Sequence, residues 1–178
     1  MTTLEALLTD PDMTGVWNLV PARSTITFTV KNMWGLANVK GRFTEFSGDA
    51  QLTGKGAVFG RVDIRAASLS TGIRARDKHL RSADFFDVER CPEISLVVTA
   101  VHPTRGNIAD LRANVSIKGI TAPLPLPVTI TEFADGSIQI SGETKVDRSQ
   151  FDLGWNRFGM IAATATAAAQ AVFARSPR

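Results

Sequence analysis

The chain has a single cysteine, Cys91, and only two histidines, His79 and His102. One cysteine excludes a disulfide within the chain and is compatible with a reducing compartment. Two histidines on separate elements beside one cysteine make a poor ligand set, so no metal or other cofactor is expected. Acids and bases nearly balance, at +3 overall, and the charges are spread along the chain. Nucleic acid would require a basic stripe or patch, so it is not an expected partner. No run approaches the roughly 18 apolar residues of a membrane-spanning helix. The opening "MTTLEALLTDPDMTGVW" has no basic stretch, no long apolar core and no small-residue cleavage site, which argues against a signal peptide. The expectation is a soluble, cytoplasmic protein. Its slight positive charge leaves room for an anionic ligand or transient contact with an anionic membrane surface, and a homodimer is compatible with it.

What is present is a globular composition: 178 residues, 44% hydrophobic and 21% charged. That length fits one domain with a real core. Thr2–Leu8 has a helical pattern, with Thr2 or Thr3 as cap and Leu4, Leu7 and Leu8 on one face. Pro11 and Gly15 end it. Beyond that point the period becomes two. "STITFTV" sets Ile26, Phe28 and Val30 on one side, and "RVDIRA" sets Val62, Ile64 and Ala66. "EISLVVTAV" gives Ile94, Leu96, Val98 and Ala100. "RANVSIKG", "LPLPVTI" and "SIQISGETKV" continue the alternation. Asp135–Gly136 is a hairpin signal. Pro123, Pro125 and Pro127 put three missing N–H groups on one edge, which predicts an exposed edge or opening there. The C-terminal "AATATAAAQAVFA" reads as a strand whose small alanines face a crowded wall or a long channel.

About eight or nine strands with short connections point to a sandwich or an up-and-down barrel. A barrel leaves no open edge, and eight strands can just enclose a small ligand. The fold class is therefore all-β, a sandwich or a barrel at 16–178 preceded by a helical extension at 1–15.

"IRARDKHLRSADFFDVERCPEI", residues 73–94, interrupts this pattern. It is too long for a hairpin turn, so it must have structure of its own. "ARDKHLRS" makes about two helical turns, with Asp77 and Arg81 as an i,i+4 pair. Asp84 caps a further turn carrying Phe85 and Phe86. The segment reads as a helical lid at 74–88 with an aromatic plug. His79 beside Asp77 has the makings of a general base, but no nucleophile accompanies it. Arg148 with Asp152 reads as a strand-end ion pair.

"GRFTEFSGD", "SLSTGIRARDKHLRSADFFDVERCPEI", "VSIKGITAPLPLPV" and "DRSQFDLG" resemble successive motifs of the YceI-like family, in order from about Trp17 to Phe173. The Arg76–Asp87 stretch corresponds to that family's signature loop. Lys118 stands where many members carry histidine, and Asn32 or Met33 stands where a histidine often ends the first long strand. The resemblance decides for the barrel: it implies an all-β, eight-stranded antiparallel, lipocalin-like β-barrel that binds polyisoprenoids or similar amphiphilic lipids and needs no catalysis. It implies that Phe28, Val30, Trp34, Phe43, Val62, Ile64, Phe85, Phe86, Leu96 and Val98 line a lipid tunnel. Arg74, Arg76 and Arg81 are the head-group candidates, because guanidinium matches phosphate oxygens. An isoprenoid or other long-chain lipid, in particular a polyisoprenoid or an isoprenoid quinone, is the expected partner. Two alternatives stay open: a small enzyme using the acids and His79 of 74–88, and a stress or interaction protein with a filled core.

Overall fold

The structure, a computed structural model, describes residues 3–177. Eleven strands run in the order β1 (Gly15–Leu19), β2 (Thr25–Asn32), β3 (Ala37–Phe43), β4 (Phe46–Leu52), β5 (Val58–Arg65), β6 (Leu69–Ser70), β7 (Glu93–Arg105), β8 (Ile108–Ile117), β9 (Ile120–Glu132), β10 (Ile138–Asp147) and β11 (Thr164–Arg175). Helix α1 (Leu4–Thr9) precedes them, and α2 (Arg74–Arg81) lies between β6 and β7. All pairings are antiparallel, and a β1–β11 pairing closes the sheet.

The eleven strands make eight staves, because three staves are broken. β1 and β2 lie end to end along β11, at Leu19↔Phe173 and Ile26↔Ala169. The break between them holds Pro21, which cannot donate to a ladder. β3 and β4 face that pair and break at Thr44–Glu45. β5 and β6 follow, broken by a 3-10 turn at Ala66–Ser68. Of the sandwich and the barrel that the alternation allowed, the eight-stranded barrel implied by the resemblance is the one observed. β3 and β4 carry glycine or alanine at some inward positions, Gly41, Gly48 and Ala50, so their alternation is faint.

One end of the barrel is plugged. Leu4, Leu7 and Leu8 of α1 are buried against Trp17, Leu52, Leu111, Ile138 and Phe173. Thr2 lies outside the described residues. Thr3 is the N-cap, its hydroxyl accepting from Ala6 N at 3.3 Å. The other end carries α2, the Lys118–Gly119 turn and the 148–163 connection. There a second cluster forms around Phe43, Ile64, Leu69, Ile94, Phe151 and Leu153. Lys118 and Gly119 both have positive φ, at 52° and 76°, as a two-residue hairpin turn of the primed type requires.

Between the two clusters the inward side chains are only half-buried. Val30, Val62, Leu96, Val98, Leu126 and Ile140 all belong to this group. Phe28 sits across Ala167 on one neighbouring strand and Gly41 on the other. A Cβ at Gly41 would stand 2.2 Å from the Phe28 ring, so only glycine leaves the ring its place. The proline edge also has its counterpart. Pairing of β9 with β10 stops at Val128↔Gly142, although β10 runs on to Asp147 along β11. Pro123, Pro125 and Pro127 keep their partners on β8, and the Thr144 hydroxyl bonds Pro125 O at 3.2 Å across the parted seam.

If α1 is the plug, Leu7→Ala should cost about 2–5 kcal/mol of stability. The exposed Leu36→Ala should change it by no more than about 0.5 kcal/mol. Urea denaturation of both variants checks this, and a Leu7→Ala variant as stable as the parent would show that the helix is not part of the core.

Candidate functional site

The barrel encloses a cavity of about 390 Å³, within the range of pockets that take one small-molecule ligand. Its wall is built from the strands' inward faces. Phe28 and Val30 come from β2, Phe43 from β3, Val62 and Ile64 from β5, and Leu96 and Val98 from β7. Phe85 and Phe86 descend from the segment after α2. Ala165, Ala167, Ala169 and Ala171 of β11 line it too, so their small side chains border open space.

Trp34 does not belong to this wall, contrary to the sequence expectation. β2 ends at Asn32, and Met33 and Trp34 take left-handed backbone at φ 51° and 56°. That turn swings the indole outward, to 69% exposure. Trp155 occupies the inner position instead.

Two aromatic sets seat the lid. Phe86 meets Phe43 edge-on at 6.0 Å between ring centroids and lies 6.5 Å from Phe28. Phe85 and Trp155 are 5.5 Å apart, and the His79 ring stands edge-on to both, at 5.1 and 4.3 Å. Such arrangements satisfy the ring quadrupoles and add to the area term.

The polar side chains of the lid are braces. Asp77 is buried and accepts from Thr71 N at 2.9 Å and from the Thr71 hydroxyl at 2.5 Å. Arg81 donates to Ala67 O and Leu69 O, at 3.0 and 2.8 Å. The expected Asp77–Arg81 pair is therefore replaced by bonds that tie α2 to the chain before it. Asp84 does not cap the Phe85 turn: its carboxylate meets His79 Nε2 at 2.8 Å, and backbone bonds to Ser82 O hold the turn. Lys118, in the position read as a family histidine, donates to Ala83 O and Asp152 O, both at 2.9 Å. One ammonium thus fastens the lid to the 148–163 connection.

Of the three head-group candidates, Arg76 alone reaches the cavity wall. Its guanidinium is steadied by the Thr71 hydroxyl and carbonyl, at 2.8 and 3.0 Å. Arg74 is exposed outside, and Arg81 is occupied by the two carbonyls. A different arginine takes part. Arg148 is 6% exposed and lines the cavity. It does not pair with Asp152, which is held by Lys118 at 3.3 Å. Its Nε donates to Ala162 O at 2.8 Å, and Nη1 donates to Leu153 O at 2.6 Å and Trp155 O at 3.4 Å. Burial without a carboxylate lowers its pKa. The signal for it was in the sequence. Ile138, Ile140, Gly142, Thr144 and Val146 face inward at every second position, and Arg148 is the next in that series.

Among the described residues, the cavity wall therefore carries two arginines and a histidine near the lid and no carboxylate. It suits an apolar tail with a hydrogen-bond-accepting head.

Residues 17–173 match the YceI-like domain. A UPF0312 protein of Pseudomonas putida strain W619 is 35% identical over 105 residues, which are 59% of this chain and 54% of that protein. A UPF0312 protein of Shewanella sp. strain ANA-3 is 33% identical over 107 residues, 59% of this chain and 56% of that one. The chain thus spans about half the length of these relatives. Among solved structures, BcnA of Burkholderia cenocepacia superposes with a TM-score of 0.80 at 23% identity, over 86% of this chain and 98% of that one. A polyisoprenoid-binding domain from Saccharophagus degradans superposes with a TM-score of 0.74 at 15% identity, over 90% and 98%. The barrel, its signature loop and the match over nearly the whole chain lead to one conclusion: this chain belongs to the YceI-like domain family.

Proposed function

We propose that the barrel binds and carries a long-chain amphiphilic lipid, a polyisoprenoid or an isoprenoid quinone, with its tail in the cavity and its head under the lid. The observation that carries this reading is the void itself. The protein is well packed at both ends, yet leaves about 390 Å³ open between them. An unfilled cavity costs roughly 24 cal/mol per Å³, so leaving one this size sacrifices several kcal/mol of stability. Apolar cavities stay dry and accept apolar molecules. The likeness to a polyisoprenoid-binding domain supports the same ligand class.

The driving force is desolvation. Each CH₂ removed from water contributes about 0.8 kcal/mol. No bond is made or broken in this reading, and the two arginines of the wall, Arg76 and Arg148, are held in place by oxygens of the chain. A quinone carbonyl or a phosphate oxygen would accept from Arg76 and Arg148. Such charge-assisted bonds contribute about 1.5–3 kcal/mol each.

Native mass spectrometry of the purified protein, followed by solvent extraction, tests the reading. A mostly hydrocarbon ligand should be retained, or added geranylgeraniol should shift both mass and melting temperature. Clean protein that responds to no isoprenoid would end the carrier proposal. Phe28→Asp should abolish binding, because it places an unpartnered charge in the apolar wall. Phe28→Leu should be mild.

Release kinetics separate plug from polar chemistry. Phe85→Ala combined with Phe86→Ala should speed the release of a fluorescent isoprenoid more than any single polar change in the lid. His79→Ala should leave affinity within about tenfold, since one such contact is worth about 1 kcal/mol. Stopped-flow release checks both. Unchanged release in the phenylalanine variant, with binding lost in His79→Ala, would move the site to the polar residues.

A further inference from the structure

Among the described residues, four of the nine exposed large apolar ones are gathered on two adjacent turns at the lid end of the barrel. One turn, Met33–Gly35, follows β2, and the other, Arg157–Gly159, precedes β11. They are joined by a hydrogen bond from Trp34 N to Met160 O at 3.1 Å. The two turns are built alike. Each holds an aromatic residue in left-handed backbone, Trp34 at φ 56° and Phe158 at φ 57°, followed by a glycine at positive φ. Bulky side chains rarely take that conformation. Here it directs both rings into solvent, at 69% and 74% exposure, beside Leu36 at 85% and Met33 at 50%. Packing within the chain does not account for this crest. Apolar surface gathered in this way marks a contact with something outside the molecule.

The charges around it name the contact. Lys31 and Arg157 are exposed at the bases of the two turns, and the Arg157 guanidinium lies 5.1 Å from the centroid of the Phe158 ring. No Asp or Glu occurs from Met13 to Thr44, or from Leu153 to the C-terminus. The neighbouring Asp152 is engaged by Lys118. Both turns adjoin the cavity wall, through Asn32 on one side and Trp155 and Ile161 on the other. We propose that this crest docks the barrel on anionic lipid bilayers, with Trp34 and Phe158 entering the headgroup layer while Lys31 and Arg157 meet lipid phosphates. Trp is favoured at that depth, and juxtamembrane cations are attracted by anionic leaflets. The cavity mouth then opens at the lipid surface. This adds a docking step to the carrier reading and stands on residues that the cavity does not use.

Flotation of the full chain with vesicles tests it. Vesicles of phosphatidylcholine and phosphatidylglycerol in equal parts should carry the protein up. Vesicles of phosphatidylcholine alone should bind it at least about tenfold more weakly, and high salt should erase the difference. Asparagine tolerates left-handed backbone, so Trp34→Asn with Phe158→Asn keeps the turns while removing the rings. That variant should lose at least about tenfold in vesicle partitioning, while geranylgeraniol binding without vesicles is unchanged. Lys31→Glu with Arg157→Glu should abolish the preference for phosphatidylglycerol. Docking is overturned if the parent chain does not float, or if the asparagine variant floats as well as the parent. It is also overturned if the parent is a dimer in sedimentation that the asparagine changes dissociate, which would make the crest a face between copies. Vesicle binding by a chain that takes up no isoprenoid would leave docking standing and remove the carrier reading alone.

Discussion

β11 is flanked by the broken β1–β2 stave on one side and β10 on the other, and its side chains determine how much room the interior has. From Ala165 to Ala171 its inward positions hold only alanine. A barrel of eight staves has an interior that ordinary side chains just fill. Replacing one stave's contribution by methyl groups leaves the middle short of atoms. Phe173 ends the alanine run, and there the interior closes at once, against Trp17 and the leucines of α1. The same chain thus makes a solid floor and an open shaft by changing residue size along one strand. Gly41 works in concert with this: it lets the Phe28 ring lie flat against the wall, where a larger neighbour would push it into the shaft.

An open shaft has to be stabilised from its ends, and the lid end relies on polar clamps as much as on apolar packing. Lys118, Arg81 and Arg148 each satisfy backbone carbonyls of irregular segments, such as Ala83, Ala67 and Leu153, which have no ladder to bond to. A cation that donates to several carbonyls can join two loops without fixing their sequence. This explains why the most charged stretch of the chain lies over its least polar space. The charges face the chain that forms the lid, and the rings of Phe85 and Phe86 face the shaft.

Alternation with period two made most of the fold legible. It placed Phe28, Val30, Leu96 and Val98 on the inward side, and the structure sets them in the cavity wall. It failed where inward positions carry glycine, as in β3 and β4, because a missing side chain leaves no pattern. It also stopped one step early at Arg148, where a charged residue holds an inward position. Trp34 was misplaced for a different reason. An aromatic residue just after a strand looks like a continuation of its apolar face, and only the left-handed turn at Met33–Trp34 reverses it. The partners of Asp77, Asp84 and Arg81 were beyond local reasoning. Helical spacing suggested an Asp77–Arg81 bond within α2 and a cap from Asp84, whereas the observed partners lie at Thr71, Ala67 and Leu69, or use a five-residue reach from His79 to Asp84.

The three prolines of β9 affect the mechanics of the wall. In most of the barrel, widening the girth would mean breaking ladder bonds. Between Ile120–Pro127 and the upper part of β10 there are none to break: the pairing register ends at Val128↔Gly142, and proline supplies no N–H with which to extend it. The seam is an expansion joint. A bulky or branched occupant can be accommodated there by a small separation of two staves, opposed by the Thr144 to Pro125 bond and by side-chain contact. The circumference of this barrel is therefore set by backbone hydrogen bonds at the floor and by whatever fills the shaft near the mouth.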